Sequence, residues 1–113
     1  MSSTITDILS GIRDPALSAA KNKLTDLIST AESDTEVFIQ ANSQHLQDWL
    51  ADVKSGAMSQ DEFNELVDAE KIFAKDFALR QVEAAQERTE QLAVHILELA
   101  AAKIVPALIV AVI

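Results

Sequence analysis

Two histidines are the residues of this chain best suited to metal or acid–base chemistry. Each has an acidic residue three positions later, since Asp48 follows His45 and Glu98 follows His95. On a helix, each pair would share one face. Di-iron bundles instead place a glutamate three residues before each histidine, and neither His45 nor His95 has one there. The pattern therefore favours half-buried or surface histidines, and it predicts neither a metal site nor a cofactor.

Residues for nucleophilic catalysis are also lacking in the sequence. It contains no cysteine, and no serine lies in a glycine-rich nucleophile motif or phosphate-binding loop. Acidic pairs such as Asp61 with Glu62 and Glu83 with Glu87 are abundant, and on an exposed helix their usual role is solvation. We therefore predict no catalytic residue, no enzymatic activity and no small-molecule substrate.

Composition indicates which elements carry these side chains. Of 113 residues, 49% are hydrophobic, and only two are glycine and two proline. This composition favours a single all-α domain over residues 1–113. The net charge of −9 disfavours nucleic acid and anionic lipid as partners. Residues 91–113 carry no net charge, because Glu98 and Lys103 cancel, so the acidic surface is predicted to lie upstream.

The first residues predict a short helix rather than a targeting segment. They lack the basic start and long apolar run of a secretory signal. We expect synthesis in the cytoplasm, with the final location unknown and export by another route left open. A helix is predicted over residues 3–13, with one apolar face made by Ile5, Ile8, Leu9 and Ile12. Asp14 and Pro15 then form a start signal for the next helix.

A long helix is predicted over residues 15–54. Apolar residues recur there every three or four positions, and no glycine or proline interrupts them. The segment 33–36 offers an alternative, because Ser33 and Glu36 have the spacing of a capping box and precede an apolar run. A break there would give two helices and permit a compact bundle. The continuous helix is the favoured prediction.

A turn and a second long helix follow. Gly56 can adopt the left-handed conformation that ends helices, and Ser59 with Glu62 has the spacing of a capping box. The second helix is predicted over residues 59–105, and Pro106 should end or kink it because proline has no backbone N–H. The apolar tail, residues 106–113, is too short for periodicity to distinguish helix from strand.

Folding the two helices about Gly56 predicts a long antiparallel hairpin with a short N-terminal helix and an apolar C-terminal extension. The facing residues would be Trp49 with Phe63 and Leu66, Phe38 with Phe77, and His45 with Glu70. Trp49 is interpreted as a cap of the core beside the turn, rather than as a membrane anchor or binding hot spot. The first helix would end opposite about residue 98, so roughly the last fifteen residues would overhang.

The overhanging tail leads to a prediction of self-association. Its apolar surface exceeds what the short N-terminal helix can cover, and exposed surface of this kind favours association. Both long helices also have apolar residues outside a single stripe, such as Ile72 beside Phe73. The predicted oligomer interface comprises Ile5, Ile8, Leu9, Ile12, Leu99, Ile104, Val105, Leu108, Ile109 and Val112. Deleting residues 104–113 is then expected to leave a helical protein that no longer assembles.

We therefore expect a non-catalytic structural subunit that assembles with itself into a bundle, ring or filament. One alternative is a membrane-active helical protein, such as a pore former or a lipid-surface coat. Against it, the uninterrupted apolar run, residues 104–113, is about half the length of a membrane span, and no basic cluster flanks it. The other alternative is an adaptor that binds a partner helix in its groove.

Overall fold

The chain is all-helical over the residues that the structure describes. The computed structural model describes residues 5–112, and of Thr6 and residues 110–112 only the backbone. No strand occurs within that range. The helices are α1 (Ile5–Leu9), a 3₁₀ turn (Pro15–Leu17), α2 (Ser18–Glu32), α3 (Val37–Ser55), α4 (Gln60–Leu79) and α5 (83–112).

The N-terminal helix is shorter than the predicted range 3–13. It covers Ile5–Leu9, and residues 3 and 4 lie outside the described part of the chain. The Asp14 carboxylate accepts a hydrogen bond from the Ala16 N–H at 3.0 Å, and Pro15 follows at the first helical position. The start signal therefore operates, although the turn that it begins is 3₁₀ and α2 begins at Ser18.

The predicted continuous helix over residues 15–54 is broken between α2 and α3. The Ser33 N–H bonds back to Ser29 and ends α2, while the Glu36 side chain accepts from the Phe38 N–H and begins α3. Asp34 accepts from the Glu36 N–H at 2.8 Å. Short polar side chains here satisfy backbone groups that a continuous helix would otherwise satisfy. The helical spacing of apolar residues continues across the break and conceals it.

The predicted helix over residues 59–105 is also broken. α4 ends at Leu79, Val82 is extended, and α5 begins at Glu83. Downstream, Pro106 does not end the helix, because Val105–Val112 is helical. A π-helical turn over Ala100–Ile104 directly precedes that segment. Its shifted backbone hydrogen bonds let the helix continue past a residue that has no N–H.

The connection between α3 and α4 is a tight turn. Gly56 has φ of 84°, in the left-handed region, and ends α3. The N–H groups of Ala57 and Met58 both bond to the Asp52 carbonyl. Ser59 and Glu62 form a reciprocal capping box at the start of α4. Local side-chain and backbone groups therefore satisfy the free donors and acceptors at both helix ends.

The two breaks bring the helices together around one main core. α5 contains a second π-helical turn, Glu90–Val94, and it packs on α2, α3 and α4 along its length. Its last segment, Val105–Val112, contacts α3 and α4, while α1 contacts α2 and α3. The described residues occupy 44 × 28 × 24 Å, whereas a continuous helix over residues 15–54 would alone be about 60 Å long.

Candidate functional site

Most side chains of the predicted oligomer interface lie in the core of the single chain. Ile5, Ile8, Leu9, Ile12, Ile104, Val105 and Leu108 are all buried. Leu99 and Ile109 are partly buried against the same core, and the side chain of Val112 lies outside the described residues. The premise of an uncovered tail was wrong, because the broken helices fold back over the C-terminal segment. These side chains are not available for a partner while the bundle is closed.

The large exposed apolar side chains are concentrated instead on the outer side of α4. Ile72 is 69% exposed and Phe73 is 64% exposed, and Leu66 and Leu79 are also exposed. Val82, three residues after the end of α4, is also exposed. The opposite side of α4 packs into the bundle, where Phe63 and Val67 are buried. α4 is therefore apolar on two sides, of which its own chain covers one.

Two neighbouring rows of residues make up this outer side of α4. Positions 62, 66, 69, 73, 76 and 80 alternate in steps of four and three, as do positions 65, 68, 72, 75 and 79. Such spacing places each row on one helix face, and every one of these positions is exposed. We call the two rows together the α4 face. Ile72 and Phe73 lie near its middle, Leu66 and Leu79 lie nearer its two ends, and charged residues occupy most of the other positions.

An aromatic and polar cluster joins α4 to α3 on the inner edge of this face. Phe38 stacks on Phe77 with ring centroids 4.4 Å apart and an interplanar angle of 11°. Glu70 Oε1 lies 3.3 Å from His45 Nδ1 and accepts a hydrogen bond from Asn42 Nδ2 at 3.1 Å. The contacts of Phe38 with Phe77 and His45 with Glu70 are those that the sequence predicted. They fix the orientation of α4 on the bundle.

The single tryptophan lies at the end of this cluster that is nearer the turn. Trp49 is half-buried and meets Phe63 edge-on, with ring centroids 6.5 Å apart. On its other side it stacks with His45, with ring centroids 5.8 Å apart. This is the position expected of a residue that caps the core beside the turn. Trp49 is therefore a natural optical probe of α3–α4 packing.

The titratable residues do not converge on a site within the described part of the chain. No three His, Cys, Asp or Glu residues lie close enough there to hold a metal ion. His45 pairs with one carboxylate, that of Glu70. His95 is exposed in an open groove with Glu90 and Glu98. That the chain lacks metal, cofactor and catalysis stays a prediction.

One segment has the length and composition of a membrane span. The helix Glu83–Ile109 contains an 18-residue window that is apolar enough to cross a bilayer, and half of that window is buried inside the bundle. A core helix of a water-exposed bundle meets the same criteria. Ile96, Leu97 and Ala100 are among the buried residues of this helix, and burial in a core is one physical reason for an apolar composition.

The chain matches no protein-family model, no curated protein and no solved structure at a significant level. Sequence reasoning had noted Ile72 beside Phe73, but it did not identify the α4 face as the main exposed apolar surface. The signal was present in the seven-residue spacing of Leu66 with Phe73 and of Ile72 with Leu79. This signal was overlooked because the hairpin predicted from two unbroken helices leaves the tail as the largest exposed apolar surface.

Proposed function

We propose that the protein is a non-catalytic structural subunit that associates with copies of itself through the α4 face. The observation that supports this best is the exposure of Ile72 and Phe73 at the middle of a long amphipathic helix. In this proposal α3 and α4 form an antiparallel hairpin whose inner side builds the core and whose outer side is the contact surface. The tail stabilises the bundle and is not itself the contact.

The energetics favour association through this face. Fully burying one exposed Leu, Ile or Phe side chain contributes about 1.5–3 kcal/mol. Each copy presents Leu66, Ile72, Phe73 and Leu79, so a symmetric contact would bury twice that set. The total is comparable with the roughly 4–15 kcal/mol that association costs in lost translational and rotational freedom. The contact is therefore expected to be concentration-dependent.

The exposed location also fits a contact surface better than a small-molecule site. Ligand sites are concave and bury most of the ligand, whereas Ile72 and Leu79 project from the convex side of one helix. The grooves beside α4 are shallow and open, such as that lined by Phe38, Phe73 and Phe77. A flat or convex apolar surface is complementary to another protein surface.

The test is the molecular mass of the full chain over a dilution series, with two matched variants. Phe73→Glu places a charge at the middle of the α4 face, and we expect a monomer with unchanged helical circular dichroism. Val37→Glu changes a side chain of similar exposure, 72% against 64% for Phe73, that lies on α3, and we expect this variant to associate like the unmodified chain. A monomeric unmodified chain at tens of micromolar would refute the proposal.

A membrane-active function is the second candidate, and the helix Glu83–Ile109 favours it. Insertion would require the bundle to open, because half of the apolar window faces the core. Flotation with neutral and with anionic liposomes tests this directly. Liposome binding that Phe73→Glu leaves intact would favour the membrane function over assembly through the α4 face.

A further inference from the structure

Charge is distributed unevenly along α4. Residues 60–70 of α4 carry Asp61, Glu62, Glu65, Asp68 and Glu70 and no basic residue. Residues 71–80, which include the C-cap Arg80, carry Lys71, Lys75 and Arg80 against one acid, Asp76. This order complements the dipole of α4 itself. It also makes the two ends of the α4 face opposite in charge, which restricts how a second copy can pack on it.

We propose that two copies of the chain pair their α4 helices antiparallel about a twofold axis near residues 71 and 72. This geometry rests on the proposed self-association and specifies its partner and register. Antiparallel pairing places the acidic half of one α4 on the basic half of the other. A parallel pair would instead place Glu62, Glu65 and Asp68 next to their own copies, and like charges in such positions repel.

The charged residues match in this register when the two residue numbers add up to about 143. Asp68 then faces the partner's Lys75, and Glu62 faces the partner's Arg80, each twice because of the symmetry. Asp68 and Lys75 are exposed and make no other ion pair within the described part of the chain. Arg80 already pairs with Asp76 at 2.8 Å, so it would join a larger charged cluster.

The two apolar residues at the middle of the α4 face, Ile72 and Phe73, match in the same register. Ile72 lies closest to the twofold axis and packs against the partner's Ile72. Ala69 faces the partner's Phe73, so a small side chain opposes a large one, as close helix packing requires. These residues lie between the two sets of charges, which gives an apolar centre and a charged rim. A second copy of the chain therefore complements the middle of the α4 face in size and its two halves in charge.

The size of this contact sets its expected strength. α4 has 20 residues, which is about 30 Å of helix. Stable interfaces bury about 800 Å² on each partner, and one helix from each copy lies at the low end of that range. We expect dissociation at concentrations on the order of micromolar, without a higher assembly from this surface alone, because a twofold contact is closed.

Single-cysteine variants test the register, since the chain has no native cysteine. Ile72→Cys and Leu79→Cys change side chains of similar exposure, 69% and 73%. In the antiparallel pair the two copies of position 72 adjoin, whereas the two copies of position 79 are about 20 Å apart along the helix. Under mild oxidation we expect a disulfide-linked dimer from Ile72→Cys, formed at least about tenfold faster than from Leu79→Cys.

Charge reversal provides an independent test of the same pairing. Asp68→Lys and Lys75→Asp should each weaken self-association on the order of tenfold, because each variant brings like charges together twice. An equimolar mixture should restore the dimer, since both contacts become attractive in the mixed pair. A labelled copy of one variant, followed by fluorescence anisotropy, reports the mixed pair directly.

The outcomes separate this geometry from self-association itself. A dimeric chain in which Leu79→Cys crosslinks as fast as Ile72→Cys, or in which the mixed charge variants do not recover, would overturn the antiparallel register and leave the proposed function standing. A chain that remains monomeric at tens of micromolar would overturn both. Fast crosslinking at position 72 together with recovery in the mixture would establish the register.

Discussion

Arg88 Nε lies 3.0 Å from Asp34 Oδ2, and this ion pair joins α5 to the break between α2 and α3. The Asp34 side chain is only 8% exposed and also accepts the Glu36 N–H. Its backbone carbonyl accepts from the Gln40 side chain. Asp34 therefore connects the break between α2 and α3 to α5. The compact bundle depends on that break.

We predict that the Asp34–Arg88 pair stabilises the fold measurably. Replacing either residue by alanine should lower the free energy of unfolding by about 1–2 kcal/mol, more for Asp34 because the Glu36 N–H also loses its acceptor. A double-mutant cycle in urea, followed by Trp49 fluorescence, gives the coupling between the two side chains.

The exposed pair Asp76–Arg80 is the matched control for that cycle. Its N–O distance is 2.8 Å, but both side chains are mostly exposed. Exposed pairs spaced four residues apart on a helix contribute about 0.3–0.5 kcal/mol, so its coupling should be the smaller and should fall further with added salt. Equal coupling energies for the two pairs would show that Asp34–Arg88 stabilises the break no more than an exposed ion pair would.

Gly56 is predicted to stabilise the turn through its backbone conformation alone. Its φ is 84°, and a Cβ atom there would meet nothing within 4 Å. Gly56→Ala should therefore cost about 1 kcal/mol from backbone strain, without a steric clash. Gly11→Ala is the control, because Gly11 does not have positive φ, and it should be neutral or slightly stabilising. Thermal or urea unfolding of both variants checks the difference.

Two segments of the chain share the capping-box spacing, and the structure predicts different consequences for their serines. The Ser59 hydroxyl accepts from the Glu62 N–H at 3.1 Å, and the Glu62 carboxylate accepts from the Ser59 N–H. Ser33 instead ends α2 and donates to the Ser29 carbonyl. Ser59→Ala should cost about 1 kcal/mol, and Ser33→Ala should cost less than half of that in the same unfolding assay.

The sequence predicted the contacts that depend on local helical spacing, and it missed those that depend on where the helices break. Helical spacing placed Phe38 against Phe77 and His45 against Glu70, because those contacts depend on local period and on the turn at Gly56. The break at Ser33 was visible but outweighed, since apolar spacing continues through it. The break near Val82 has no glycine or proline to indicate it. Burial of the tail depends on both breaks, and so could not be derived from the pattern.

The C-terminal segment is predicted to be necessary for folding, contrary to the expectation from sequence. Leu108 is 1% exposed, and Ile104 and Val105 are fully buried. Leu108→Ala should lower the free energy of unfolding by about 2–4 kcal/mol through lost burial and the cavity left behind. Deleting residues 104–113 removes all three side chains, and the shortened chain should lose its cooperative unfolding transition.

Leu79→Ala is the control for Leu108→Ala, because it removes a leucine side chain that lies outside the core. Leu79 is 73% exposed, so the same substitution there should change stability by less than about 0.5 kcal/mol when measured on the monomer. Urea unfolding at low protein concentration gives the free energy of unfolding for both variants.

If the chain lacking residues 104–113 keeps a sharp transition and its helical circular dichroism, then the segment is dispensable for folding. In that case Ile104, Val105 and Leu108 become available for assembly, as the sequence first suggested.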